Sequence, residues 1–432
     1  MSLRRFTVAD WLDSPLSRRR LDLAGTAEQR AVVQDICSRV AAEGDAALRE
    51  FGTRFDGWAP QAGEPFSVGK PALEAALRRL PPKDRAALEV AAARIREFHE
   101  AQHFEPVIGP PGLKLLTKPV KRAGLYVPGG RGAYPSTVLM TVIPARVAGV
   151  EEVYISTPPA PDGSVPTSIL AAAALAGADD VYRVGGAQAV AAFAYGTLSV
   201  PRVDVVAGPG NIYVTLAKRE VYGMVGVDAI AGPTEIMVVA DRAAPPHYVA
   251  ADLASQLEHD PMAWAVLVTD SPALADAVEE EFSSLLKKLE RADVIAAAHC
   301  ALILADSLDQ AMQVANDFGP EHLELIAEDA GRLVALVENA GAVFVGPHAP
   351  VSLGDYVIGP NHTLPTSGSA RFSSPLGVHT FLKRTSVASM TRGDLQMLGD
   401  AAITLAGMEG LTAHAHAIEV RVQEPFKETG DV

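Results

Sequence analysis

Apolar positions along this chain change their texture near residue 118. From about Thr26 to Gln102 they recur at helical spacing, first as Ala31, Val32, Ile36, Val40 and Ala41 and again as Leu88, Ala91, Ala92 and Ile95. A breaker-rich stretch, Asp56 to Pro65, lies between the two runs. After Lys118, short apolar runs each end in a Gly- or Pro-rich turn and lead into an alanine-rich helical stretch, which predicts βα units. Four follow in order, Ala123 to Val150, Glu152 to Ala178, Asp179 to Gly196 and Arg202 to Val221, at a spacing that suits a parallel sheet with crossover helices. The rhythm resumes with Ile236 to Ala240, Ala265 to Thr269, Ala301 to Ala305 and Ala342 to Val345, which predicts a second, similar sheet. The fold class is therefore α/β with two doubly wound domains. Pro158 to Pro166 reads as a surface loop, the chain from Asp394 onward as helical, and the tail Pro425 to Val432 as mobile.

Length and composition narrow the picture. A chain of 432 residues, 48% apolar and 21% charged, suits an ordered globular protein of two or three domains. Its 52 acidic residues outweigh 37 basic ones, and the net charge of -15 repels phosphate backbones and anionic lipid, so neither nucleic acid nor membrane is an expected partner. The basic run Arg18 to Arg20 reads as a solvated surface. Two cysteines, Cys37 and Cys300, encode neither a disulfide framework nor a thiolate metal site. Met1 to Asp13 lacks the apolar core of a signal peptide, and no run of about 18 apolar residues occurs, so a cytoplasmic location is expected.

Candidate chemistry sits first in the turns, because parallel α/β sheets bind ligands beyond the carboxyl ends of their strands. Three turns are rich in glycine: Gly124 to Gly130, Val184 to Gln188 and Ala207 to Asn211. Glycine lets backbone amides approach a phosphate at a helix N-terminus. The dinucleotide fingerprint is incomplete, however, since Tyr213 stands where the third glycine belongs. These glycines could equally serve only to make tight turns.

Among 11 histidines no zinc-finger or His-Glu-x-x-His spacing occurs. Val249 to His259 reads as a helix that projects Gln256 and His259 from one face. Asp355 lies in the turn Ser352 to Tyr356, and His362 in Gly359 to His362. His414 and His416 share a face only if their segment is a strand. The adjacent Glu321 and His322 follow Gly319-Pro320, which stops a helix and puts the pair at a turn. A carboxylate beside an imidazole can orient or activate water, while the imidazole takes and returns protons near neutral pH.

Taken together these segments resemble the histidinol dehydrogenase family over nearly the whole chain. The resemblance rests on Gly124 to Gly130, Pro135 to Met140, Gly185 to Gln188, Gly208 to Asn211, Ala231 to Glu235, Gln256 to His259, Gly319 to His322, Asn361 to Pro365 and Glu409 to His414. It implies an NAD-dependent, sequential oxidation of L-histidinol to L-histidine through bound L-histidinal, with Glu321 and His322 catalytic. It implies one zinc ion per subunit, held by Gln256, His259, Asp355 and His414, and NAD contacts from Tyr126, Gln188 and Asn211. Substrate contacts would come from Thr234, Gln256, His259, His322, Asp355, His362, Glu409 and His414, with threonine at 234 where the family more often has serine.

The resemblance further implies two Rossmann-like domains, one of residues 24–125 with 234–376 and one of 126–233, between an N-terminal segment 1–23 and a C-terminal segment 377–432. In the family that C-terminal segment is exchanged in a homodimer, so His362, Glu409 and His414 would come from a partner subunit. The alternatives are a related zinc-dependent NAD dehydrogenase of another small alcohol, or a non-catalytic metal- or nucleotide-binding protein.

Overall fold

The structure, a computed structural model, describes residues 3–17, 25–102, 109–129 and 132–423. The basic run Arg18 to Arg20, His103, Gly130 and the tail Pro425 to Val432 lie outside the described residues. The chain divides into two compact units, residues 1–102 with 119–381 and residues 103–118 with 382–432.

The first unit carries two fully parallel sheets. In the five-stranded sheet, Arg122–Tyr126 is central, with Glu152–Thr157 and then Asp180–Arg183 on one side, and Val205–Ala207 and then Gly226–Val227 on the other. The strand order thus reverses between Arg122–Tyr126 and Val205–Ala207, the crevice where such sheets bind ligands. Helices Pro135–Ala148, Thr167–Ala176, Gly186–Tyr195 and Ile212–Val221 form the crossovers. Helix Ala27–Glu43 begins at a capping box of Thr26 and Gln29. It buries Val33, Ile36 and Val40 in one core with Val190, Val206 and Val214, so the early helical region shares its interior with this sheet.

The six-stranded sheet runs in the order Arg4–Thr7, His299–Leu304, Trp264–Thr269, Glu235–Ala240, His322–Ile326, Ala342–Val345. Every residue of Glu235–Ala240 and Trp264–Thr269 is buried, as expected for central strands covered on both faces. Two strands here depart from the expectation. Arg4–Thr7 is a mostly exposed edge strand, without the apolar run that marks its neighbours. His322–Ile326 begins at the second residue of the adjacent pair Glu321 and His322, so His322 is a strand residue and not a turn residue. Gly319 stops the preceding helix in the left-handed conformation, and Pro320-Glu321 leads straight into the ladder. Leu323 and Leu325 face one apolar cluster, while Ile326 faces the other. Glu324 stands in this strand where a buried leucine or valine would contribute roughly 1.5–3 kcal/mol.

The second unit pairs strand Leu113–Pro119 with Leu382–Ala388 and adds helices Arg392–Met408 and Thr412–Gln423. Met397, Leu398, Leu405 and Met408 are exposed on the longer helix.

Candidate active site

The six-stranded sheet places its candidate chemistry at the amino ends of its strands, opposite to the expectation for parallel sheets. Thr234 precedes Glu235–Ala240, Glu321 precedes His322–Ile326, and His322 pairs in register with Ile236. The connecting helix Pro246–Leu257 runs back from the carboxyl edge, which delivers Gln256 in its last turn and His259 two residues beyond its end. Asp355 follows the short helix Val351–Gly354.

His322 is buried, and its ring orientation is fixed by the backbone: Nδ1 lies 2.9 Å from the Glu235 carbonyl oxygen. A carbonyl only accepts, so Nδ1 carries the proton and Nε2 keeps a lone pair. Nε2 has no hydrogen-bond partner and lies 3.9 Å from Asp355 Oδ1. Burial lowers the His322 pKa to about 4, with Asp355 opposing, so the ring is neutral at neutral pH. Its neighbour Glu321 accepts hydrogen bonds from the Thr234 hydroxyl at 2.6 Å and the Glu235 amide at 3.0 Å. Burial raises the Glu321 pKa to about 8 against the opposing Thr234 bond. Gly341 holds the strand next to this pair, because a Cβ there would strike the Glu321 carbonyl oxygen.

Gln256 extends the network, its Nε2 donating to the Thr234 hydroxyl. The amide oxygen of Gln256 takes no part in that bond and is the end that could face a metal. His259 is open to solvent, although the surrounding protein lowers its pKa by desolvation. Burial raises Asp355 to about 6, with His322 opposing.

His362 is brought to this group by the same chain. Asn361 Nδ2 donates to the Met140 carbonyl at 2.5 Å, and His362 Nε2 lies 3.3 Å from the Thr137 hydroxyl. Burial, followed by the nearby His322 and His259, lowers its pKa to about 4. The expectation that His362 arrives from a partner subunit is therefore corrected. Glu409 and His414 belong to the second unit, where Glu409 caps helix Arg392–Met408 and His414 is exposed on helix Thr412–Gln423. That helix removes the strand alternative for His414 and His416, which at a spacing of two residues occupy different faces.

The donor chemistry suits zinc, with an amide oxygen, an imidazole and a carboxylate in the first unit and a second imidazole in the implied set. Among the described residues no three His, Cys, Asp or Glu side chains stand together as a metal cluster. Gln256 lies outside those residue types and His414 outside the first unit, so only His259 and Asp355 of the implied ligands could contribute to such a group there.

The three expected dinucleotide residues stand at the carboxyl edge of the five-stranded sheet. Tyr126 ends the central strand, and its hydroxyl accepts from the Gly186 amide at 3.1 Å. Gln188 is buried in the first turn of helix Gly186–Tyr195 and donates to Asp56 at 3.3 Å. Asn211 caps helix Ile212–Val221, accepting from the Tyr213 and Val214 amides. Tyr126 and Asn211 thus flank the reversal in strand order.

Sequence reasoning missed three supporting residues here and a fourth buried charge in the six-stranded sheet. Asp56 accepts from the Gly185 amide at 3.0 Å as well as from Gln188, yet it sat in a breaker stretch with no spacing signal. Lys218 Nζ donates to the Gly208 carbonyl at 2.5 Å and pairs with Asp228 at 2.6 Å, while Asp228 accepts from the Gly208 amide at 2.8 Å. Gly208 adopts a φ of 112° against the Tyr126 carbonyl, where a Cβ would collide. The fourth, Glu324, had a visible signal: a lone charge within an apolar run.

A neutral imidazole with a free lone pair, in a protein whose other sheet opens a nucleotide-type crevice, defines the class as an α/β dehydrogenase. The family profile described as histidinol dehydrogenase matches residues 19–422. Histidinol dehydrogenase of Synechococcus sp. is 50% identical over 402 residues, 91% of this chain and 92% of that one, and the Pseudomonas putida enzyme is 50% identical over 397 residues, 90% of each. The crystal structure of histidinol dehydrogenase from Elizabethkingia anophelis superposes with a TM-score of 0.90 at 31% identity, covering 98% of both chains. The chain belongs to the histidinol dehydrogenase family.

Proposed function

We propose that this protein oxidises L-histidinol to L-histidine in two sequential steps through bound L-histidinal, reducing two NAD. The observation that carries the reading is the His322 ring, held as its Nδ1–H tautomer by Glu235 with Nε2 free.

In the first step His322 takes the carbinol proton at Nε2, and burial keeps the ring neutral beforehand. Bound NAD at Tyr126, Gln188 and Asn211 supplies the hydride acceptor. His322 then returns its proton to the aldehyde oxygen while Glu321, as carboxylate, takes one from the water that adds to the carbonyl carbon, which leaves the aldehyde hydrate. The aldehyde hydrate loses the second hydride, with His322 again the base. Thr234 orders this region by donating to Glu321 while accepting from Gln256. Zinc held by Gln256, His259, Asp355 and His414 would supply orientation of the imidazole and amino nitrogens of the substrate and draw Glu321 toward its carboxylate form. His362 and Glu409 complete the substrate contacts. We place the protein in the cytoplasm as a homodimer whose C-terminal segments are exchanged, with Glu409 and His414 supplied by the partner copy; exposed Met397, Leu398, Leu405 and Met408 support that reading. Among the described residues no helix is long and apolar enough to cross a membrane.

The test is the amount of NADH formed per L-histidinol, with and without a chelator. Two NADH and loss of turnover on chelation are expected; one NADH, or none, overturns the proposal. Thiol chemistry has no place in it, since Cys37 and Cys300 are buried and burial pushes both thiols up to about 12. Cys37→Ser with Cys300→Ser should retain turnover per folded molecule within about twofold, against the 10²–10⁴-fold typical of removing a proton-transfer group.

A further inference from the structure

Two buried carboxyl groups meet one layer beneath the candidate active site. Asp252 lies one helical turn before Gln256 on Pro246–Leu257, and Glu324 lies two residues after His322 on its strand. These spacings put Asp252 on the same helix face as Gln256 and Glu324 on the same sheet face as His322. Glu324 is 1% exposed and Asp252 8%, and the buried Glu324 Oε2 has no other hydrogen-bond partner, so Asp252 is the polar neighbour left to it. Their surroundings are apolar: Ile236, Val238 and Phe344 from the adjoining strands, and Leu253 of the helix, belong to the core on this side of the sheet. A hydrogen bond between two carboxyl groups requires a proton on one of them. Burial, followed for Glu324 by the Asp252 charge, raises both pKa values, which keeps that proton in place.

Apolar side chains could fill this space with no polar group to satisfy, and replacing buried polar pairs in that way is often stabilising. The pair therefore needs a reason other than core packing, and its location supplies one.

We propose that Asp252 and Glu324 form a hydrogen-bonded carboxyl clamp that fixes the helix of Gln256 against the strand of His322, making them positioning residues for the active site. The clamp rests on the catalytic assignment of His322 and Gln256 given above. It sets the spacing between the end of the helix, from which Gln256 reaches Thr234, and the strand from which His322 presents Nε2.

The test compares two double variants in the full-length protein. Asp252→Asn with Glu324→Gln keeps an amide–amide hydrogen bond without a titrating proton, whereas Asp252→Leu with Glu324→Met keeps the volume and removes the bond. The clamp requires the amide pair to retain kcat for L-histidinol within about threefold and the apolar pair to lose about tenfold or more, with the KM for NAD unchanged in both. A second readout is independent of turnover: in protein labelled at its histidine rings, the His322 signals, assigned from the spectrum of His322→Asn, should move in the apolar pair and stay in the amide pair. Should the apolar pair fail to accumulate, Glu324→Met alone is read in the same way. An apolar variant that keeps both kcat and the His322 signals overturns the clamp. Wild-type protein without histidinol turnover overturns the catalytic reading instead, and the ring signals still decide whether the clamp positions His322.

Discussion

Replacing His322 by asparagine lowers kcat for L-histidinol by about 10²–10⁴-fold, with little change in the KM for NAD. Asparagine can still donate to the Glu235 carbonyl that now receives the Nδ1–H, so the local backbone keeps its partner. What disappears is the lone pair of Nε2, the only part of the ring left without a hydrogen bond. The contrast with Glu321→Gln separates the two halves of the reaction. Glutamine keeps an oxygen that can accept from Thr234 and from the Glu235 amide, so the first oxidation should persist. Water addition should fail, and a single-turnover experiment should stop near one NADH per site. If His322→Asn turns over at the wild-type rate, the proton chemistry belongs elsewhere.

The largest stability effect is expected at Lys218. Lys218 and Asp228 form an ion pair whose side chains are each 4% exposed, so Lys218→Met leaves a carboxylate in the interior without its cation. Breaking a buried pair from one side costs about 3–5 kcal/mol. Denaturant unfolding should show the loss as a lower midpoint at unchanged slope. Asp228→Asn added to Lys218→Met should recover part of it by removing the stranded charge. Lys218 and Asp228 also grip the carbonyl and amide of Gly208, so the single variant should raise the KM for NAD well before it affects a saturated kcat. A Lys218→Met protein as stable as wild type would show that the turn is held by other contacts.

What could be read from the sequence follows from which physical signal each element carries. Strands Glu235–Ala240 and Trp264–Thr269 were legible because burial on both faces demands an unbroken apolar run. His322–Ile326 is as buried, but its run is interrupted by Glu324 and preceded by Gly319-Pro320, so it read as a turn. The individual candidate site residues were named from motifs, whereas their contacts could not be. Nothing in the spacing of Thr234, Gln256 and Glu321 says that they share one hydrogen-bonded chain, because a helix returning from the far edge of the sheet brings them together. Asp56 and Asp228 were hidden for a similar reason: each acts on backbone amides of a turn distant in sequence.

The six-stranded sheet keeps its named chemistry at the amino edge, which leaves the opposite rim with a different freedom. The connections at residues 241–245, 270–271, 305–307 and 327–329 leave the carboxyl ends of four strands and contain none of the residues assigned to substrate, metal or dinucleotide. They are natural places to attach a reporter dye, insert a short tag or reopen the chain by circular permutation, since such changes would fall a full strand length from His322.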